Sequence, residues 1–371
     1  MMQRTEPISL QSRIRYEDLL AFAAAALEAV GVAPEGARQT AEVLAVADLR
    51  GVHSHGVFRL PFYVEAVERG LVEKNPAIRV ERESPVSALV NGGNGLGPVV
   101  GIRAMELCLA KARQSGMAVV GVHHSNHYGQ AGYYAMMALP HGMIGLSLTN
   151  AAAHVAPTGA SRKALGTNPI AVAVPAGEER PFVLDMATSA VSHGKILTRL
   201  EQGLPIPSGW GLDRFGLPTT DGRAMLEEGG SILPLGGLAE TGGYKGYGLA
   251  ALVDLLCGPL TGALFGVNIA PWLAPGRRGA QNIGHFFAAM RVDLFRPVEA
   301  FKTDVDRLIR QLRGLPRGRG VERIYVAGEK EFEAEEQNRA WGIPLPAPER
   351  ESLRKLAERL GLEAKFQALE R

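Results

Sequence analysis

Two apolar runs, PIAVAVPA (169–176) and PFVLDMAT (181–188), are separated only by GEER (177–180), and this pair most constrains the fold. Both read as strands, being short, apolar and rich in valine and alanine. A parallel crossover needs about a dozen residues or more, usually including a helix. Four residues permit only a hairpin, so the two strands are expected to be antiparallel. The neighbouring segments use the other connection. MAVVGVHH (117–124) and MIGLSLTN (143–150) read as buried strands with a helix over about 129–141 between them. The middle of the chain therefore mixes both connection types, and the class is α/β with a mixed sheet.

The ends of the chain differ from the middle. DLLAFAAAALEAVGV (18–32) has apolar residues spaced by three and four, and Pro34 suits the first turn of the next helix. A third helical pattern covers about 57–69, and the tail reads as helices at about 299–314, 330–340 and 347–360. Residues 1–80 with 297–371 are expected to form a helical domain. Residues 81–296 are expected to form a second, β-rich domain with inserted Gly/Pro-rich segments. Its further elements are a strand into a Gly-rich turn (86–98), helices at 99–115, 190–203 and 245–258, and a strand at 285–295. Residues 204–244 are rich in Gly and Pro, and the similar stretch 259–284 suits either a lid or an interface loop.

The 371 residues are 46% hydrophobic and 21% charged, enough for a full core, and the formal net charge of +2 gives no footprint for nucleic acid. No apolar run approaches eighteen residues, and MMQRTEPISLQSRIRYEDLL has no apolar signal region. Cys108 and Cys257 lie in apolar helical patterns and read as buried free thiols, which suits the cytoplasm.

All nine histidines lie between positions 53 and 285. HSH and HHSNH lack the companion ligands of common metal motifs, so no metal is expected. HSHGVFR (53–59) sets His55 and Arg59 four apart, on one face if a helix begins there. An arginine fork suits a carboxylate, and an imidazole handles a proton near neutrality. The pair suits a 2-hydroxy or 2-keto acid, although a surface pair has the same spacing. HHSNHYG (123–129) follows a strand and precedes a helix, where site residues gather, so His127 is a second proton-handling candidate. GGNGLGP (92–98) carries Pro98 where a dinucleotide fingerprint needs its third glycine, and SHGKIL lacks the P-loop spacing. GTNP (166–169), DMATS (185–189) and GGYKGYG (242–248) remain as segments able to cradle phosphate. No G-x-S-x-G elbow is present.

Taken in order, DLRGVHSHGVFRLPFYV, SNHYGQAGYY, TNAAAHVAPTGASRKALGTNPIAVAVP, FVLDMATSAVSHGK, ETGGYKGYGLAALVDLLCG and NIGHFF resemble the malate/L-lactate dehydrogenase family. This is a non-Rossmann family that also includes sulfolactate and ureidoglycolate dehydrogenases, diketogulonate reductase and cyclic imino acid reductases. The resemblance runs from about residue 15 to about 360. It implies an NAD- or NADP-dependent oxidoreductase, a largely antiparallel cofactor- and substrate-binding domain over residues 81–296, and a homodimer with a small carboxylic acid substrate. By motif, it implies His127 or His55 as the proton acceptor, with His127 placed first, and Arg59 as the carboxylate clamp. Ser54, Thr167 and Asn168 fall beside the substrate. Asn150, Thr167, Asn168, Asp185, Met186, Ala187, Ser189, His193, Lys245 and Gly246 fall beside the cofactor. Lys195, a further catalytic candidate, follows SHG where imino acid reductases carry an aspartate, so it suits an anionic substrate or a cofactor phosphate. Two alternatives stand beside the hydroxy acid reading: a cyclic imine reductase, and a nucleotide-binding homologue without activity.

Overall fold

The computed structural model describes residues 13–274, 276–277 and 279–369. It divides into two compact units, one reaching Arg69 and resuming at Lys330, the other spanning Gly70–Glu329. The domain limits expected from the sequence lay at 80/81 and 296/297.

The first unit opens with α1 (Tyr16–Ala29), α2 (Pro34–Leu49) and α3 (Leu60–Glu68). Alanine-rich faces let α1 and α2 approach closely, with Phe22, Ala26, Ala41 and Leu44 buried. Between α2 and α3 the chain makes two 3-10 turns, His53–His55 and Val57–Arg59, broken at extended Gly56. The single helix expected over 57–69 therefore starts three residues late.

The second unit is built on a seven-stranded sheet. Its strands are β1 (Arg79–Glu83), β2 (Ser87–Asn91), β3 (Met117–Ser125), β4 (Met143–Thr149), β5 (Ile170–Val174), β6 (Phe182–Met186) and β7 (Ile283–Arg291). The spatial order is β1-β2-β3-β7-β4-β5-β6. Only β2–β3 is a parallel hydrogen-bonded pair, spanned by the crossover helix α4 (Gly97–Ser115); every other neighbour is antiparallel. The class is the mixed, largely antiparallel α/β architecture expected. PIAVAVPA and PFVLDMAT do form a hairpin, with Val172 opposite Leu184. β3 and β4 are joined through α5 (Ala131–Met136), shorter than the helix expected over 129–141, and β7 slots between them.

The Gly/Pro-rich 204–244 stretch is not formless. It contains a three-stranded sheet of two-residue strands, 211–212, 218–219 and 231–232. With α6 (His193–Glu201) this sheet packs a satellite core of Val155, Ile196, Met225 and Ile232. Helix α7 (Gly243–Cys257) then runs under the main sheet, packing Val253 and Cys257 on Leu148. After β7, α8 (Val298–Arg313) belongs to this unit. Its Asp306 accepts the backbone N–H groups of Gly177, Glu178 and Glu179 at 2.8–3.2 Å, tying it to the β5–β6 turn. The chain returns to the first unit through α9 (Glu329–Trp341), α10 (Ala347–Leu360) and α11 (Glu363–Leu369).

Candidate active site

In the first unit, Asp48 organises the HSHGVFR turns. Its carboxylate is fully buried, binds His53 Nδ1 at 2.8 Å and accepts the Val57 N–H at 2.7 Å. A Cβ on Gly56 would lie 2.1 Å from Asp48, so a glycine here lets the turn close over the carboxylate. Ser54 Oγ lies 3.1 Å from His55 Nδ1, and Arg59 Nε donates to the Ser54 carbonyl at 2.9 Å. His55 and Arg59 thus sit in successive 3-10 turns rather than on one α-helical face.

Arg59 is set among aromatic rings, with its guanidinium carbon 5.5 Å from the Phe58 centroid and 5.9 Å from that of Phe62. Burial lowers its pKa from the ordinary value. Among the described residues its terminal nitrogens meet no carboxylate. Burial, reinforced by Arg59, lowers the His55 pKa to about 4, so His55 is a neutral imidazole near neutrality. Glu349 of α10 feels the buried Asp48 and its partner His53; burial, then Asp48, raises its carboxyl to about 7.

In the second unit, His127 follows β3 on a loop fixed from two sides. Asn126 Nδ2 donates to the Gly95 carbonyl at 2.9 Å and to Asn94 Oδ1 at 3.0 Å. A Cβ on Gly97 would stand 2.2 Å from the His127 carbonyl. The glycines of GGNGLGP therefore allow α4 to begin against this loop, a packing role rather than a phosphate cradle. The His127 ring stacks on Trp272 with centroids 5.1 Å apart. The Gly129 N–H points at Nδ1 at 3.4 Å. Neither Asn126 nor Trp272 was singled out from the sequence; Trp272 lies in the 259–284 stretch, where no periodicity marks it. His285 is a satisfied core histidine, bonded to Thr149 Oγ1 at 2.8 Å and Ser125 Oγ at 2.7 Å, and burial lowers its pKa to about 3.

The residues proposed beside the cofactor fall into two groups. Asn150 donates to Asp254 and the Leu264 carbonyl and accepts the Gly284 N–H. Asn168, at φ +31°, accepts from Ala151 and donates to the Ala250 carbonyl. Thr167 offers its carbonyl to Thr188, Ser189 donates to the Val191 carbonyl, and Asp185 holds the Gly132 N–H at 2.8 Å. In Gly246 a Cβ would meet the Leu235 carbonyl at 2.1 Å. These groups shape the backbone. Met186 and Ala187 close β6 and lead into that backbone, partly accessible. Lys195 and Lys245 differ: each is exposed in the first turn of a helix, α6 or α7, and makes no ion pair among the described residues. His193 opens α6 beside His154, ring centroids 5.1 Å apart. Such donors fit the negative charge of a dinucleotide diphosphate.

The family model for malate/L-lactate dehydrogenase matches residues 14–354. The chain belongs to the malate/L-lactate dehydrogenase family. It is 43% identical over 352 residues to a malate dehydrogenase of Pyrococcus horikoshii, covering 95% of this chain and 96% of that one. The solved structure titled malate dehydrogenase from Pyrococcus horikoshii OT3 superposes with a TM-score of 0.88 at 40% identity, over 98% of this chain and 99% of that one. An L-sulfolactate dehydrogenase of Methanocaldococcus jannaschii is 39% identical over 91% of this chain and 94% of its own. A Δ1-piperideine-2-carboxylate reductase from Pseudomonas syringae pv. tomato superposes with a TM-score of 0.82 at 32% identity, over 93% of this chain and 99% of that one. The seven-stranded sheet, antiparallel at every pair but β2–β3, is not a Rossmann sheet, which agrees with the absence of G-x-G-x-x-G.

Proposed function

We propose that this chain is an NAD- or NADP-dependent oxidoreductase acting at C2 of a small 2-hydroxy or 2-keto carboxylic acid of the malate, lactate or sulfolactate kind. The observation that carries the reading is Arg59, a guanidinium in aromatic surroundings with no carboxylate among the described residues. A desolvated cation without a counter-ion is costly unless a ligand anion completes it. Arg59 binds the substrate carboxylate, with Ser54 holding its Nε and thereby its orientation. His127 or His55 takes the hydroxyl proton during oxidation and returns one to the alkoxide oxygen during reduction. When bound, a nicotinamide dinucleotide supplies the hydride chemistry. Lys195 and Lys245 supply positive charge for its phosphates and His193 an imidazole donor, and Thr167, Asn168, Asp185, Met186 and Ala187 shape the surface beneath it. Dehydrogenase relatives support the class, and the piperideine-2-carboxylate reductase supports the imine alternative.

The test is NADH and NADPH oxidation with pyruvate, oxaloacetate, sulfopyruvate, oxalurate and piperideine-2-carboxylate. Turnover of an open-chain keto acid is expected. Turnover of the cyclic imine alone would replace the hydroxy acid reading with the imine reading, and tight nucleotide binding without turnover would favour the inactive homologue. Cys108 and Cys257 take no part: both are buried free thiols whose pKa burial raises, to about 12 for Cys108. Free thiols suit the cytoplasm, and no described helix is long and apolar enough to cross a membrane. We also propose a homodimer. Helix α7 leaves Tyr244, Leu252 and Leu255 exposed, an apolar face that a second copy suits.

A further inference from the structure

A cleft of about 50 Å³ lies between the 154–165 segment, the first turn of α6 and the 225–232 segment. A single buried water needs roughly 10–15 Å³, so the cleft has room for one compact polyatomic group. Three nitrogen-bearing side chains line it, His154, His193 and Lys163, and its lining contains no carboxylate among the described residues. Met225 and Ile232 form a floor continuous with the satellite core, which holds the cleft open. The walls are fixed by backbone bonds. The His154 N–H binds the Leu165 carbonyl at 2.8 Å, and the Ile232 N–H binds the His154 carbonyl at 2.9 Å. His154 therefore stands beside Ser231 by register.

Ser231 is the decisive observation. It is only 2% exposed, lines the cleft, and its Oγ has no hydrogen-bond partner. A hydroxyl removed from water and left unpaired is unfavourable, and one in a lining shared with basic groups can donate to an acceptor oxygen held there. α6 begins at His193, so the positive end of that helix borders the cleft.

We propose that the His154–Lys163–His193–Ser231 cleft is an oxyanion site for a phosphoryl group. The Ser231 hydroxyl and the imidazole N–H groups donate to its oxygens, and Lys163 screens its charge from the rim. A phosphoryl group fits better than a bare carboxylate because the donors converge from three segments, matching a tetrahedral rather than a planar acceptor. His193 also serves the nicotinamide reading, so the test reads phosphate binding with no turnover.

Inorganic phosphate is titrated into the whole protein by calorimetry and by thermal unfolding, against chloride at equal ionic strength. The wild type should bind phosphate saturably and gain thermal stability. Ser231→Ala should match or exceed wild-type stability without phosphate, since its hydroxyl has no partner to lose, and should gain less on adding it. Lys163→Ala, a surface change that leaves the core untouched, should bind phosphate about tenfold more weakly. NADPH and NADH then identify the source. Displacement of phosphate by NADPH alone assigns the site to the 2′-phosphate; displacement by both assigns it to the diphosphate; displacement by neither assigns it to a separate phosphorylated ligand. Absence of saturable phosphate binding, or equal binding in wild type, Ser231→Ala and Lys163→Ala, would overturn the site. Neither result bears on keto acid turnover, so the dehydrogenase reading stands or falls apart from it.

Discussion

Arg59 and the two histidines carry the chemistry proposed, and each makes a separable prediction. Arg59→Ala should lower kcat/KM for a 2-keto acid by about 100-fold or more, because the substrate carboxylate loses a desolvated, charge-assisted partner. Arg59→Lys should recover little of it, since a lysine does not reproduce the planar fork. Steady-state kinetics decide the matter, and near-normal values for Arg59→Ala would remove the clamp. The proton carrier is distinguished by pH. Burial holds His55 near 4, so a reaction using His55 as base should keep kcat/KM for oxidation level down to about pH 4. His55→Gln would then lose about 100-fold, and His127→Gln little. The opposite ranking assigns the proton to His127, whose ring is positioned by Trp272 and Gly129.

At the level of elements, the α4 start and the β3–α5 loop behave as one piece. Gly97→Ala places a methyl carbon against the backbone carbonyls of Asn126 and His127, at 2.4 and 2.2 Å, with no flexible side chain to yield. The expected cost is about 2 kcal/mol or more of stability, measured by denaturant unfolding, with a loss of activity through His127. Wild-type stability in that variant would show the α4 start to be more pliant than its contacts imply. The same element shows how far the sequence could be read. GGNGLGP was recognisable as a failed dinucleotide fingerprint, but its actual role is to bring two backbones together. That role depends on Asn126, thirty residues onward. Asp48 was similarly invisible, reading as an ordinary acid near a helix end, although it holds the turns bearing His55 and Arg59.

Across the whole molecule, buried titratable groups set opposing pH limits. His55 and His285 have folded pKa values depressed below 6.5, to about 4 and about 3. The unfolded chain binds protons there more readily, so stability falls as pH drops below about 6.5. Glu349 is the reverse: its folded value of about 7 exceeds the ordinary 4.5, so its contribution weakens as pH rises through that window. Glu349→Gln should flatten the loss of stability between about pH 4.5 and 7, read as Tm against pH; an unchanged slope would place the titration elsewhere. For assembly, Leu252→Glu combined with Leu255→Glu should yield a monomer by sedimentation if α7 forms the proposed dimer face. A dimer in that variant would move the interface off α7.

The sequence alone determined what depends on neighbours in the chain. A four-residue link forced the β5–β6 hairpin, helical spacing marked the two ends, and motif order pointed to the family. His55, Arg59 and His127 stood out because few residue types can hold a carboxylate or move a proton. Only the tertiary structure decided what depends on distant segments. β7 enters between β3 and β4 from more than a hundred residues away, a pairing that local patterning does not encode. Two-residue strands in the 204–244 stretch are too short to show alternation. Trp272 stacks on His127, and Ser231 lines one cleft with His154 and His193, because folding joins segments whose separate sequences carry no sign of each other.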